Sequence, residues 1–320
     1  MTLEPLPRRP ALSWWTRWRR LREHALRVVT PPADRRSLAA DVSAIELAGS
    51  GLLAPGWAAL SRTIAEHGLD EGRFDSAAVA ALAEMVAAVG TGTQPEYLAR
   101  HRRRFIEMAG IIAALQREGR LPPAPRLLDV GGSVNTLILR RLFPAATVEM
   151  ADAPGYAFPE ALGLGQHAVD LEVPDLDARD LGTRYDFILF GEVLEHLLAH
   201  PRRVFAFLLR HLAPGGLLLV TTPNFFGRHG LAMLQRGRNP APLFPETADP
   251  SQRHHHHVRE YSMLELVEWL DRAGGRTEAL LYSDCWDEVQ RGAFATNDCE
   301  ERANLVVLAS RADQPKRIVG

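Results

Sequence analysis

Arg126-Leu127-Leu128-Asp129-Val130-Gly131-Gly132-Ser133 is the stretch whose reading decides the fold. Apolar residues run into an acid and then into a glycine pair, and Leu137, Leu139 and Leu142 follow at helical spacing. This is the pattern of a buried parallel strand, a tight turn and a helix whose free N–H groups face the strand's carboxyl end. Open α/β sheets bind nucleotides at such turns, because backbone approaches a ligand closely only where side chains are small. Asp129 is placed either to accept hydrogen bonds from a ligand amine or to fix the turn. The dinucleotide fingerprint G-x-G-x-x-G is absent; the chain offers Asp129-x-Gly131-Gly132-Ser133-x-Asn135. So glycine-poor a loop suits a ligand without a pyrophosphate. A plain strand–helix turn is the other reading.

Downstream, strand patterns recur with helical patterns between them. Residues 146–152 read as a second strand ending in Asp152, 23 residues past Asp129. An acid there is placed to take both hydroxyls of a ribose. Residues 167–171 read as a third strand closing on Asp170-Leu171, an acid and an apolar neighbour suited to an adenine's edge and face. A fourth strand, 185–190, runs into Gly191-Glu192-Val193-Leu194-Glu195-His196-Leu197, and a fifth, 217–222, follows the turn Ala213-Pro214-Gly215-Gly216. Strands alternating with helices predict a doubly wound α/β fold, its sheet mostly parallel and covered on both faces.

Taken together, Leu-Asp-Val-Gly-Gly-Ser, the acid at Asp152, Asp170-Leu171, Tyr-Asp-Phe-Ile-Leu-Phe-Gly-Glu-Val-Leu-Glu-His-Leu and Leu-Ala-Pro-Gly-Gly…Thr-Pro-Asn resemble the class I S-adenosylmethionine-dependent methyltransferases over about 121–311. The resemblance implies a Rossmann-like, seven-stranded sheet with an antiparallel last strand, in which 276–282 and 304–309 supply strands six and seven. It also implies S-adenosylmethionine as the cofactor. Asp129, Gly131 and Gly132 would lie around its methionine part, Asp152 on the ribose, and Asp170 and Leu171 at the adenine, with Glu192 also lining the site. The family usually carries further glycines where this chain has Ser133 and Asn135. Asparagine tolerates positive φ, which would preserve the turn, whereas Ser133 would narrow the approach.

Glu192, Glu195 and His196 are spaced i, i+3, i+4, so on a helix beginning after strand four they share one face. Two carboxylates and an imidazole there could bind a divalent cation or act as general base. His257, at the end of the run His254-His255-His256-His257, is a second imidazole source. The pattern resembles small-RNA 2′-O-methyltransferases and, in part, ubiquinone-pathway O-methyltransferases. In those relatives such residues hold a metal that orients the acceptor hydroxyl, which would make ligands of Glu192, Glu195, His196 and His257. Glu-Val-Leu-Glu-His-Leu is also common in methyltransferases that need no metal, so a base or a structural role competes. Glu192, His196 and His257 are the catalytic candidates, the metal is left undecided, and oxygen is the preferred acceptor atom.

Composition bounds the rest. A chain of 320 residues with 46% hydrophobic and 24% charged residues is globular, and a net charge of −2 provides no global field for nucleic acid or membrane. Cys285 and Cys299 make no disulfide framework, which favours a reducing, cytoplasmic compartment. Residues 1–120 read as a helical N-terminal region. The first 40 residues hold nine arginines against three acids, and 12–29 form a basic pattern with Trp15 and Trp18 on one side. That segment would either lie on an anionic membrane, making the protein membrane-peripheral, or pack on the body; a cleaved transit peptide is a third reading. Helices are expected at 38–47, 57–67, 76–89 (capped by Asp75 or Ser76) and 96–118. Residues 225–257 read as a long loop, a lid or substrate segment, and 312–320 as a tail. The expected activity is methyl transfer to a small-molecule, glycan or lipid hydroxyl. An RNA 2′-O-methyltransferase and a non-catalytic, cofactor-binding scaffold are the rivals.

Overall fold

The computed structural model describes residues 70–90, 94–154, 162–240, 256–283 and 303–313. The basic segment 12–29, the expected helices at 38–47 and 57–67, His254, His255, both cysteines and the tail beyond 313 lie outside the described residues.

Two helices come first, α1 (Glu71–Val89) and α2 (Gln94–Arg117). The cap of α1 is Asp70, whose carboxylate accepts from Gly72 N and Arg73 N at 2.7 and 3.3 Å. The helix therefore starts five or six residues before the expected Asp75 or Ser76 cap: Asp70 takes the free backbone donors, while Asp75 is held by Arg102 and Ser76 bonds back to the Gly72 carbonyl. The sheet follows as β1 (Arg126–Val130), β2 (Thr147–Asp152), β3 (Gly165–Ala168), β4 (Tyr185–Gly191), β5 (Leu212–Pro223), β6 (Gly275–Ser283) and β7 (Asn304–Arg311). Between the strands lie α3 (Val134–Leu142), α4 (Pro201–Arg210), α5 (Arg228–Gln235) and α6 (Met263–Arg272).

The strand order is β3-β2-β1-β4-β5-β7-β6. The first five strands pair in parallel, and β7 runs antiparallel between β5 and β6. Strand three is shifted from its expected 167–171 to Gly165–Ala168, so Asp170-Leu171 sit on the loop beyond it. The expected loop 225–257 contains α5, which the local apolar spacing Leu231, Leu234 marks and the surrounding prolines obscure.

Alternation along the strands divides the core. Leu127, Phe187, Leu189, Leu217 and Leu219 pack with α1, α2 and α3 on one face, while Leu128, Ile188, Phe190, Leu218 and Val220 pack with α4 and α6 on the other. Both faces are covered, which explains why the strands read as continuous apolar runs. Phe74 and Met85 of α1 and Met108 and Ile112 of α2 are fully part of this core. The exposed face of this pair is laced by Arg102, which binds Asp75 and Glu71 at 2.7 and 2.9 Å, and Glu84 of α1 holds Arg141 of α3 at 2.6 Å.

Candidate active site

The chain leaves β1 for β2 and β3, then returns to β4 on β1's other side, and a crevice forms at the carboxyl ends where this reversal occurs. Here it is a cavity of about 570 Å³. Gly131, Gly132 and Ser133 after β1, Asp152 at the end of β2, Asp170 and Leu171 after β3, and Glu192 after β4 all line it. Glu195, His196 and His257 line it too, and α2 adds Tyr97, Arg100, His101 and Arg104.

Gly131 has φ +76, and a Cβ on it would meet Val193 Cγ2 at 2.4 Å. Ser133 is extended and caps α3: its hydroxyl accepts from Asn135 N at 3.2 Å, while Thr136 Oγ1 accepts from Ser133 N at 3.2 Å. Asn135 is helical and buried. The turn is thus preserved by a serine cap and not by asparagine at positive φ.

Asp129 is not among the residues lining the cavity. It lies beneath the turn, where its Oδ2 accepts from Thr136 Oγ1 at 2.7 Å. Of the two uses open to it, this is the fixing of the turn. Burial pushes its carboxyl up to about 7, against the Thr136 hydrogen bond that favours the ionised form, with Asp152 adding repulsion and Arg104 relief. A carboxyl raised in the fold lends stability that is complete below the ordinary carboxylate range and is lost as pH rises through about 7. Asp129→Asn, which keeps the acceptor for Thr136, is expected to flatten the fall in melting temperature between about pH 5 and pH 8. Melting curves of both proteins across that range check it, and parallel curves would refute it.

Residues 192–196 form no α-helix. A three-residue 3₁₀ turn, Leu194–His196, follows Glu192, which has φ +57. The i, i+3, i+4 face is therefore replaced by two separate arrangements. Glu192 Oε2 lies 3.2 Å from Arg104 Nη1, and its Oε1 accepts from Thr221 Oγ1 and Asn304 Nδ2 at 2.9 and 2.8 Å. Arg104, 4% exposed, also donates to Tyr97 OH at 3.0 Å. Glu195 turns the other way. Its Oε2 accepts from Thr222 Oγ1 at 2.9 Å, and its Oε1, fully buried, accepts no hydrogen bond.

Glu195 Oε1 lies 3.8 Å from His196 Nε2. His257 stands edge-on to His196, with ring centroids 5.0 Å apart. Three hydrogen bonds deliver it: Val258 N and Arg259 N donate to Glu195 O at 2.7 and 3.3 Å, and His196 Nδ1 donates to His256 O at 3.0 Å. A carbonyl only accepts, so His196 Nδ1 carries a proton. Burial, reinforced by the Glu192 charge, raises the Glu195 carboxyl to about 8. Burial opposes charging of His257, but Glu260 at 3.6 Å and the Glu195 and Glu192 carboxylates outweigh it and raise the imidazole. On α2, burial with Arg104 and Arg100 nearby lowers His101 to about 3, so it stays neutral.

A methyltransferase domain model matches residues 98–279. The chain belongs to the methyltransferase domain family. Its sheet order, with β7 reversed between β5 and β6, is that of class I S-adenosylmethionine-dependent methyltransferases. Among solved structures it is similar to an S-adenosylmethionine-dependent methyltransferase from Clostridium acetobutylicum ATCC 824, at 12% identity over 66% of this chain and 92% of that one, TM-score 0.42. It is also similar to an S-adenosylmethionine dependent methyltransferase from Mesorhizobium loti, at 17% identity over 62% and 96%, TM-score 0.41. The N-methyltransferase NodS from Bradyrhizobium japonicum WM9 aligns at 15% identity over 68% and 97%, TM-score 0.37. No curated protein matches the sequence. The family match begins at residue 98, inside α2, the helix that supplies Tyr97, Arg100, His101 and Arg104 to the cavity.

Sequence reasoning missed Thr136, Arg104, Thr221, Thr222 and Asn304. The Ser133-x-x-Thr136 spacing is a capping signal that could have found the first. Arg104 stands in the run Arg100-His101-Arg102-Arg103-Arg104, where nothing distinguishes it from its neighbours, and nothing local marks Asn304.

Proposed function

We propose that this protein transfers a methyl group from S-adenosylmethionine to a hydroxyl of a small-molecule, glycan or lipid acceptor. The observation that supports the reading is that one cavity joins the strand-end groups Gly131, Asp152 and Asp170 to the cluster of Glu195, His196 and His257. The residues suit the cofactor: a glycine turn for close backbone approach, a carboxylate at the end of β2 for vicinal hydroxyls, an acid beside an apolar Leu171 for a base, and a volume within the range of small-molecule sites.

S-adenosylmethionine, when bound, supplies a methyl group on a positively charged sulfur. Asp152 accepts the ribose hydroxyls in this scheme, while Asp170 and Leu171 hold the adenine. Glu192 acts as a positioning residue, binding Arg104 so that α2 stays over the site. His196 and His257 face the acceptor. A hydroxyl has a pKa far above 7, and its proton needs a destination or its oxygen a cationic partner; imidazole lone pairs can provide either. A net charge of −2 argues for a small acceptor over RNA. In the absence of any spanning helix among the described residues, a lipid acceptor would be met at a surface; the segment 12–29 would make such a contact.

Calorimetric titration of S-adenosylmethionine and S-adenosylhomocysteine into wild type and Asp152→Ala tests this. Loss of two charge-assisted hydrogen bonds, each worth about 1.5–3 kcal/mol, should weaken binding by roughly 100-fold or more. Absence of wild-type binding would overturn the proposal, and so would an unchanged mutant. A labelled-methyl screen over hydroxylated sugars and lipids then identifies the acceptor.

A further inference from the structure

We infer that the segment around α5, from Phe225 to Arg238, is a docking surface for an anionic lipid bilayer. Its composition is one-sided. Between Asn224 and Pro245 the chain holds three arginines and one histidine but no Asp or Glu, although acids number 39 over the whole sequence. Two of its large apolar side chains face outward: Phe226 is 42% and Leu234 40% exposed. Phe225 packs edge-on against Phe226, with ring centroids 5.1 Å apart. Exposed aromatic and aliphatic side chains among unopposed arginines are the combination that enters the boundary between lipid headgroups and acyl chains.

The cations are placed beside the apolar side chains. Arg236 and Arg238 are exposed and, among the described residues, hold no ion pair. They flank Gly237, whose φ of +72 ends α5. Gly237 N donates to Leu234 O and Arg238 N to Met233 O, each at 2.9 Å, so Leu234, Arg236 and Arg238 belong to one closed turn. Each cation near an anionic membrane attracts it by about 1 kcal/mol, and the acid-free stretch leaves that attraction uncancelled. A single-stranded RNA is the other polyanion that arginines and a free aromatic ring could hold. It fits less well, because Leu234 offers no stacking face and the chain as a whole carries a net charge of −2.

The surface stands on the edge of the sheet that carries the cavity. β5 ends at Pro223, at the carboxyl edge, and α5 begins five residues later. Asn224 pairs with Tyr261, and Phe225 N donates to Tyr261 O at 3.0 Å. Tyr261 directly follows Glu260, whose carboxylate lies 3.6 Å from Nδ1 of His257 in the cavity wall. A bilayer seated on α5 would therefore bring headgroups toward the acceptor end of the cavity. That use narrows the acceptor to a lipid and rests on the proposed function; the docking itself does not.

Flotation of the full-length protein with phosphatidylcholine vesicles, with and without phosphatidylglycerol, tests the inference. Binding should require the anionic lipid and fall roughly tenfold or more between about 0.1 M and 1 M salt, as the screening length shrinks from about 10 to 3 Å. Arg236→Gln/Arg238→Gln should weaken it about 20-fold, at about fivefold for each cation. Phe226→Ser/Leu234→Ser should weaken it about tenfold or more. Val79→Ser changes an apolar residue that is 69% exposed on α1, where Arg102 and Arg141 match the acids, and should leave binding unchanged. Circular dichroism and S-adenosylhomocysteine titration of each variant separate a lost surface from a lost fold. No binding to anionic vesicles overturns the inference, and so does equal binding to vesicles of phosphatidylcholine alone. Binding that survives both α5 variants but disappears in Trp15→Ser/Trp18→Ser assigns the contact to segment 12–29 and overturns it too. Tighter capture of a polyuridine oligomer than of anionic vesicles has the same consequence. Failure of cofactor binding with vesicle binding intact would overturn the proposed function alone.

Discussion

Arg104→Ala is expected to destabilise the protein by about 3–5 kcal/mol, the range seen when one partner of a buried ion pair is removed. The cause is the carboxylate left behind. Glu192 is 7% exposed, and Thr221 and Asn304 satisfy only its Oε1, so without Arg104 a charged oxygen remains in a low-dielectric pocket. Arg104 also holds Tyr97 of the same helix, so the substitution removes a tie between α2 and the sheet and a second bond within α2. Adding Glu192→Gln removes the stranded charge, and the double variant should regain more than half of the loss, since neutralising both members of a buried pair costs far less than breaking it. Urea unfolding of the wild type, both single variants and the double variant measures this coupling. Additive losses would show that the pair is not the latch described here.

Gly131→Ala should cost about 2–5 kcal/mol and abolish measurable cofactor binding. Two terms combine. At φ +76 an L side chain is strained by about 1–2 kcal/mol, and the new Cβ would sit 2.4 Å from Val193 Cγ2, so the turn or the 3₁₀ segment must move at an overpacking cost of about 1–3 kcal/mol. Because Val193 separates Gly131 from the Glu195–His196 turn, any relief displaces both ends of the site. Gly182→Ala separates the terms: its φ is +69, but nothing lies within 4 Å of the added Cβ, so only the backbone term of about 1–2 kcal/mol should appear. Equal losses in the two variants, by thermal melting, would show that the close contact with Val193 carries no energy.

The sequence by itself determined the sheet. The apolar runs at β1, β4 and β5 read as strands covered on both faces, and the acid–glycine turn after β1 read as either a ligand crevice or a plain strand–helix turn, since these readings follow from period, burial and side-chain size over a few neighbouring residues. It also indicated that Asp152, Asp170 and Leu171 would converge, because strand ends on one edge of a parallel sheet are necessarily neighbours. What only the tertiary structure decided is how the polar side chains divide. The spacing of Glu192, Glu195 and His196 put them on one helical face. The chain instead takes a positive φ at Glu192 and a single 3₁₀ turn, since Arg104 from α2 and Asn304 from β7 draw Glu192 one way while Thr222 draws Glu195 the other. Likewise His257 meets His196 across 61 positions of sequence through the Val258 and Arg259 bonds to the Glu195 carbonyl and the bond from His196 to the His256 carbonyl. Local pattern fixes which backbone groups must pair within a strand or helix; a buried charge finds its partner wherever the packed fold brings one, and no spacing in the chain records that.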